Sequence, residues 1–282
     1  YYANELFSKL IAAYEMDYDL YNDVIELETL TKSGYLGRNG LELIESGEAQ
    51  IAIPILRKSL KIFPENYEAK FFLGRAFHII GNYNQAIEHL TSIELVEDED
   101  LIFSSKIDYQ IGLSYHFLDD LDNAEKYFSS VIYYNEKESI FANTYYWMAE
   151  IKFQKQNFKS SMKYAKKYKH AVNELKKEDD TNFVELLEHE SRIFCSIAGI
   201  KLALNDVKGS VAECKRYLTK ILNSKSIKDP FSIVTALEIL TDNKEISFLK
   251  NIIDKEFIED LNSSWIIPYK IYLNGVIAYE EK

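Results

Sequence analysis

Residues 66–97 read NYEAKFFLGRAFHIIGNYNQAIEHLTSIELVE, and residues 104–135 read SSKIDYQIGLSYHFLDDLDNAEKYFSSVIYYN. Laid over one another at a shift of 38 residues, they agree in kind at fixed places: Leu73-Gly74 over Ile111-Gly112, Phe77 over Tyr115, Gly81 over Asp119, Tyr83 over Leu121, Ala86 over Ala124 and Leu90 over Phe128. Such self-similarity marks a stacked repeat. Upstream, Gly40, Leu43, Gly47, Ala52, Leu56, Ser59 and Pro64 fit the same template, with Gly40 34 residues before Gly74. Downstream, Met148-Ala149, Phe158, Ser161, Ala165 and Tyr168 follow, Ala149 standing 37 residues after Gly112. A fainter copy through Ile197-Ala198, Val207, Ser210, Cys214 and Tyr217 comes 49 residues later, and the excess coincides with the Lys- and Glu-rich tract near Lys176–Asp180.

The template reads as a pair of antiparallel helices. Gly74, Gly112, Ala149 and Ala198 supply small residues where a second helix crosses the first closely, and a larger side chain there would force the pair apart. Ala52, Ala86, Ala124, Ser161 and Ser210 play the reciprocal part on the second helix, while Leu56, Leu90, Phe128, Ala165 and Cys214 fill the layer toward the next repeat. Gly81-Asn82 and Asp119-Asp120 fall where the helix-to-helix turn belongs, and Pro64 falls just past a helix end. Pro54 lies inside a second helix, so that helix is expected to start late or kink. The unequal intervals predict a less regular superhelix than a uniform array.

Composition agrees. Ten glycines and four prolines in 282 residues are too few for many short strands and tight turns, and a hydrophobic share of 47% is enough to fold. With 33 Lys and Arg against 45 Asp and Glu, the net charge of −12 repels phosphate backbones and anionic lipid, which argues against nucleic acid as a partner. The basic run Lys163–Lys177 reads as a solvated helix face. No apolar run is long enough to span a membrane. Cys195 and Cys214 are expected to be buried free thiols. The chain begins at Tyr1 rather than Met, which suggests a processed fragment. The compartment is therefore open between the cytoplasm and, if a signal or anchor has been removed, the periplasm or envelope.

The repeat resembles the tetratricopeptide repeat family over roughly residues 33–224, most strongly over 47–134. The expected fold is all-α, a right-handed superhelical solenoid of antiparallel helix pairs. Residues 1–32 make an N-terminal helix or half-repeat, with Leu6, Leu10, Ala13, Tyr14 and Met16, then Leu20, Val24, Leu27 and Leu30, at helical intervals. Residues 33–225 make about five pairs, and 226–282 make capping helices through Ile233, Ala236, Leu237, Leu240, Phe248, Ile252, Ile253, Phe257 and Leu261.

Stacked first helices place the same template positions side by side along an inner groove. Those positions are Glu68, Phe71, Arg75 and His78, then Lys106, Tyr109, Leu113 and His116, then Asn143, Tyr146, Glu150 and Phe153. Phe71, Tyr109 and Tyr146 would form an aromatic ladder beside Arg75, the residue types that dominate binding hot spots, or else pack against a neighbouring helix or a folded-back C-terminal segment. His78 and His116 share a position and read as polar groove lining. A carboxylate clamp of the kind some tetratricopeptide proteins use is disfavoured, because Phe71, Tyr109, Leu113 and Tyr146 occupy most of its positions. An apolar or aromatic ligand segment fits better.

No catalytic chemistry stands out. His189-Glu190 is followed by Ile193 where a zinc-protease pattern needs histidine, no CxxC pair occurs, and Gly34, Gly37 and Gly40 lack the lysine of a phosphate loop. The expectation is a non-enzymatic scaffold or adaptor, without cofactor or metal. It would bind a protein or peptide partner within a multi-protein assembly, for example a bacterial envelope or motility complex, and self-association is open. The alternative is a peptide-sensing domain of a larger signalling or transcription-regulating protein. A weaker reading is a helical accessory domain of an enzyme.

Overall fold

In the computed structural model the described residues are 18–94, 101–134, 139–175, 183–224, 230–254 and 266–280. All the elements formed by these residues are helices: α1 Tyr18–Glu45, α2 Ala49–Ile62, α3 Tyr67–Ile79, α4 Tyr83–Thr91, α5 Leu101–Phe117, α6 Leu121–Tyr134, α7 Ser139–Gln154, α8 Phe158–Leu175, α9 Phe183–Ala203, α10 Val207–Ser224, α11 Pro230–Asp242, α12 Ile246–Asp254 and α13 Ile266–Glu280. The chain divides into two compact units, residues 1–136 and 137–282. The first holds α1–α6 and the second α7–α13.

One turn recurs. Gly47, Gly81, Asp119, Gln156, Asn205 and Lys244 all have positive φ, between 56° and 84°. At each, the next amide reaches back to the carbonyl five residues earlier: Glu48 to Leu43, Asn82 to Phe77, Asp120 to Tyr115, Asn157 to Lys152, Asp206 to Lys201 and Glu245 to Leu240, at 2.7–3.0 Å. This left-handed closure satisfies carbonyls that a helix end leaves open. Four of the residues that follow then cap the next helix. Side-chain oxygens of Asn82, Asp120, Asn157 and Asp206 accept from the amides of Gln85, Asn123, Ser160 and Gly209, each cap worth about 1 kcal/mol.

Small residues set the crossings. A Cβ added at Gly74 would lie 2.5 Å from Leu90 Cγ, and one at Gly112 would lie 2.8 Å from Phe128 Cε1; Gly40 meets Leu56 in the same way. Where serine replaces the second-helix alanine, its hydroxyl finds the first helix's carbonyl. Ser161 Oγ donates to Ala149 O at 2.8 Å and Ser210 Oγ to Ala198 O at 3.1 Å. Between α1 and α2, Ser33 and Ser59 are fully buried and bonded to each other, and Asn66 Nδ2 donates to Ser33 Oγ. The core of the first unit is therefore alanine, glycine and serine at the crossings, filled between them by Ile53, Leu56, Leu73, Phe77 and Leu90.

Several expectations change here. Residues 18–45 form one helix, so no break falls at 32/33, and Leu6 to Met16 lie outside the described residues, as do Phe257 and Leu261. The helix carrying Pro54 starts at Ala49, not late. Pro54 is exposed, so water can take the carbonyl that its missing N–H leaves open. The 49-residue interval is not confined to the tract near residue 180, because α8 and α9 are themselves long, with 18 and 21 residues. Cys214 is buried, and burial pushes its thiol up to about 12. Cys195 is only half-buried. Beyond residue 226, α11 and α12 form a hairpin joined by the Lys244 turn, the same turn that closes the earlier pairs.

A candidate partner-binding face

In the first unit the template face belongs to α3 and α5. Glu68 and Lys106 are exposed at equivalent positions, and Arg75, His78, Tyr109, Leu113 and His116 are half-buried. Phe71 is different: it is 7% exposed, packed edge-on against Phe103 at 5.1 Å, with the Arg75 guanidinium 5.9 Å from its ring centre. Its ring is interior packing between α3 and α5, which corrects the expectation that it offers a ladder rung to a ligand. Tyr109 leans on Phe128 at 5.8 Å. Burial draws the Arg75 guanidinium below its ordinary value, partly opposed by Glu45.

The two histidines do not meet as a pair. His78 Nδ1 lies 3.0 Å from Ser114 Oγ, and its ring packs at 5.5 Å against Phe117, which His116 also touches at 5.7 Å. Burial, with Arg75 adding to it, holds the His78 ring down at about 4, so it is neutral near pH 7. Burial also lowers His116, opposed by Asp119. Among the described residues no three His, Cys, Asp or Glu side chains gather as metal ligands would.

In the second unit the template face of α7 is engaged by α9. Arg192 donates to Asn143 Oδ1 at 3.3 Å and stands 5.4 Å from the Tyr146 ring centre, while Ser196 Oγ donates to Glu150 at 3.1 Å. Tyr146 also packs on Tyr168 at 5.6 Å, and Phe153 on Phe158 at 5.4 Å. Burial, then Glu150, pushes the Tyr146 hydroxyl up to about 12 against the pull of Arg192. Burial likewise raises the Glu150 carboxyl, and the Ser196 hydrogen bond draws it back. Asn143, Tyr146 and Glu150 are therefore held by neighbouring side chains, and Arg192, at the Asn143 position of the next first helix, is one of those that hold them. Extending the template by one repeat finds Arg192 directly.

A tetratricopeptide repeat family profile matches residues 43–102 and a second one matches 109–138. Among solved structures, the Cut9–Hcn1 hetero-tetramer of the APC/C aligns over 93% of this chain and 45% of that one, at 14% identity and a TM-score of 0.60. A structure of MamA aligns over 72% of this chain and 99% of that one, at 20% identity and a TM-score of 0.52. TTC0263, a tetratricopeptide protein of Thermus thermophilus, aligns over 74% and 98%, at 17% identity and a TM-score of 0.50. No curated protein matches the sequence. At such identities the likeness concerns the fold. Residues 43–102 and 109–138 carry tetratricopeptide repeats, and the repeat is generally a non-catalytic scaffold for protein–protein interaction. Among the described residues no helix is long and apolar enough to cross a membrane.

Proposed function

We propose that the protein holds a peptide segment or helix of a partner protein along the first-helix face, as an adaptor within a multi-protein assembly. The observation that carries this reading is the mixture of half-exposed side chains at equivalent positions of α3 and α5: Arg75 and His78 on one helix, Tyr109, Leu113 and His116 on the other. Such a row offers apolar contact with polar groups spaced one helix apart, and the exposed Glu68 and Lys106 at its edge give it direction. An aromatic or aliphatic ligand segment suits Tyr109 and Leu113 better than a free carboxylate does, because Arg75 already lies over the Phe71 ring.

The test is an affinity capture from the native cell, with the full chain beside a variant carrying Lys106→Glu, Tyr109→Ala and Leu113→Ser. These side chains are half-buried or exposed, so the helices should survive, as circular dichroism would verify. Proteins present with the parent chain and absent with the variant support the reading. Identical protein sets from both baits would mean that another surface does the binding.

A further inference from the structure

The turn edge of the first unit carries a second surface, which adjoins the first-helix face where Phe117 packs on His78 and His116. Its three turns read Glu45-Ser46-Gly47-Glu48, Ile79-Ile80-Gly81-Asn82 and Phe117-Leu118-Asp119-Asp120. Ile79 is 51% exposed, Ile80 38%, Phe117 51% and Leu118 40%. The four occupy the same two template positions in adjacent repeats, and the two turns adjoin: Phe117 stacks on Tyr83 at 5.4 Å and packs on His78 at 5.5 Å, the residues on either side of the turn that holds Ile79 and Ile80. The equivalent residues elsewhere are polar in three of four cases: Glu45 and Ser46, Gln154 and Lys155, Asp242 and Asn243. The turn chemistry does not require hydrophobes here, so four of them side by side in water are not a by-product of the repeat.

The charges around the patch say what would cover it. Glu45 and Glu48 stand exposed on one side and Asp119 exposed on the other, and none of these turns contains a Lys or Arg. A second copy of this chain, pairing face to face, would set these acids against their own counterparts in a molecule already at −12. From this arrangement we infer that the turn edge of the first unit docks a segment of a different protein, with apolar residues at its centre and Lys or Arg on both sides. Neighbouring first helices sit about 8–10 Å apart, so three turns span roughly 20 Å, which an extended segment of about six or seven residues covers.

Two dye-labelled peptides test this with the full chain: three leucines flanked on each side by two lysines, and the same peptide with glutamates for lysines. By fluorescence anisotropy the lysine peptide is expected to bind at least about tenfold tighter than its twin and to weaken as salt rises. Ile79→Ser with Leu118→Ser should raise its Kd about tenfold or more. Glu45→Gln with Asp119→Asn should remove most of the preference between the two peptides; asparagine tolerates the positive φ at 119. Tyr109→Ala, on the first-helix face, should change nothing. The inference is overturned if the lysine peptide does not bind, if both peptides bind alike, if the serine variant is indifferent, if Tyr109→Ala abolishes binding, or if sedimentation shows a dimer that the serine variant dissolves.

Discussion

Replacing Gly74 by alanine adds one methyl group to a helix interior, and in an unobstructed helix that change stabilises by about 0.8–1.0 kcal/mol through backbone entropy and propensity. In α3 the new methyl would stand 2.5 Å from Leu90 Cγ and 3.3 Å from the Ala86 carbonyl oxygen. Leu90 is 1% exposed and Ala86 fully buried, so neither has open space to yield into. Relief needs an off-rotamer Leu90, or α3 and α4 must separate, and overpacking of this kind costs about 1–3 kcal/mol. The packing term exceeds the propensity gain over most of that range, giving a net loss of up to about 2 kcal/mol. Gly34 is the matched control: it lies in α1 of the same unit, and a Cβ there would meet nothing within 4 Å. Gly34→Ala should therefore stabilise, by about 0.5–1 kcal/mol. Urea unfolding followed by circular dichroism, fitted for midpoint and slope, measures both. The same substitution with opposite signs is the expected result. If Gly74→Ala stabilises as much as Gly34→Ala, the close helix crossing is not what requires glycine at 74.

Phe71→Ala removes a 7%-exposed ring from between α3 and α5 and should cost about 3–5 kcal/mol, seen as a large drop in Tm, whereas Tyr109→Ala should cost clearly less. Gln156 is held at φ 58°, which costs a non-glycine residue about 1–2 kcal/mol, so Gln156→Gly should raise the urea midpoint. The His78 ring is held at about 4 against an ordinary 6.5, its neutral form favoured by burial and by Arg75. A base whose folded value is depressed contributes stability that is complete above the unfolded value. That contribution is lost as pH falls from about 6.5 toward 4, where folding excludes the proton that the unfolded chain accepts. Tm followed across that window should fall less steeply in His78→Gln than in the parent, and parallel curves would remove His78 from the account.

The repeat was legible because its constraints are local. Gly74, Gly112, Ala149 and Ala198 each stand seven residues before a positive-φ turn residue, and the turns at 47, 81, 119, 156 and 205 repeat the 34-, 38-, 37- and 49-residue intervals of the sequence. The hairpin of α11 and α12 escaped because its small residues are gone. Leu237 stands at the position of Gly74 and Leu249 at that of Ala86, both buried, and only the backbone turn at Lys244 betrays it. Phe71 was misjudged for a related reason. Helix α5 begins at Leu101, several residues before the template does, and that extra turn brings Phe103 onto Phe71 and Tyr67 at 5.1 and 5.2 Å. Residues that lengthen a period leave no trace in the pattern they interrupt.

The same lengthening shapes the second unit. Helices α8 and α9 run past the template, and Tyr168 OH meets His189 Nδ1 at 2.7 Å with both residues buried. A buried polar pair is costly to leave half-made, so it fixes how α8 and α9 meet more narrowly than apolar packing alone would. Tyr146 rests on Tyr168 at 5.6 Å and under Arg192 at 5.4 Å. The chain of contacts therefore runs from the insertion to the face: the residues that break the repeat length hold Tyr168, Tyr168 holds Tyr146, and Tyr146 with Arg192 presents a fixed polar and aromatic edge. A side chain fixed in advance loses less entropy when a ligand arrives. In this unit the irregularity of the repeat and the rigidity of its candidate face have one structural cause.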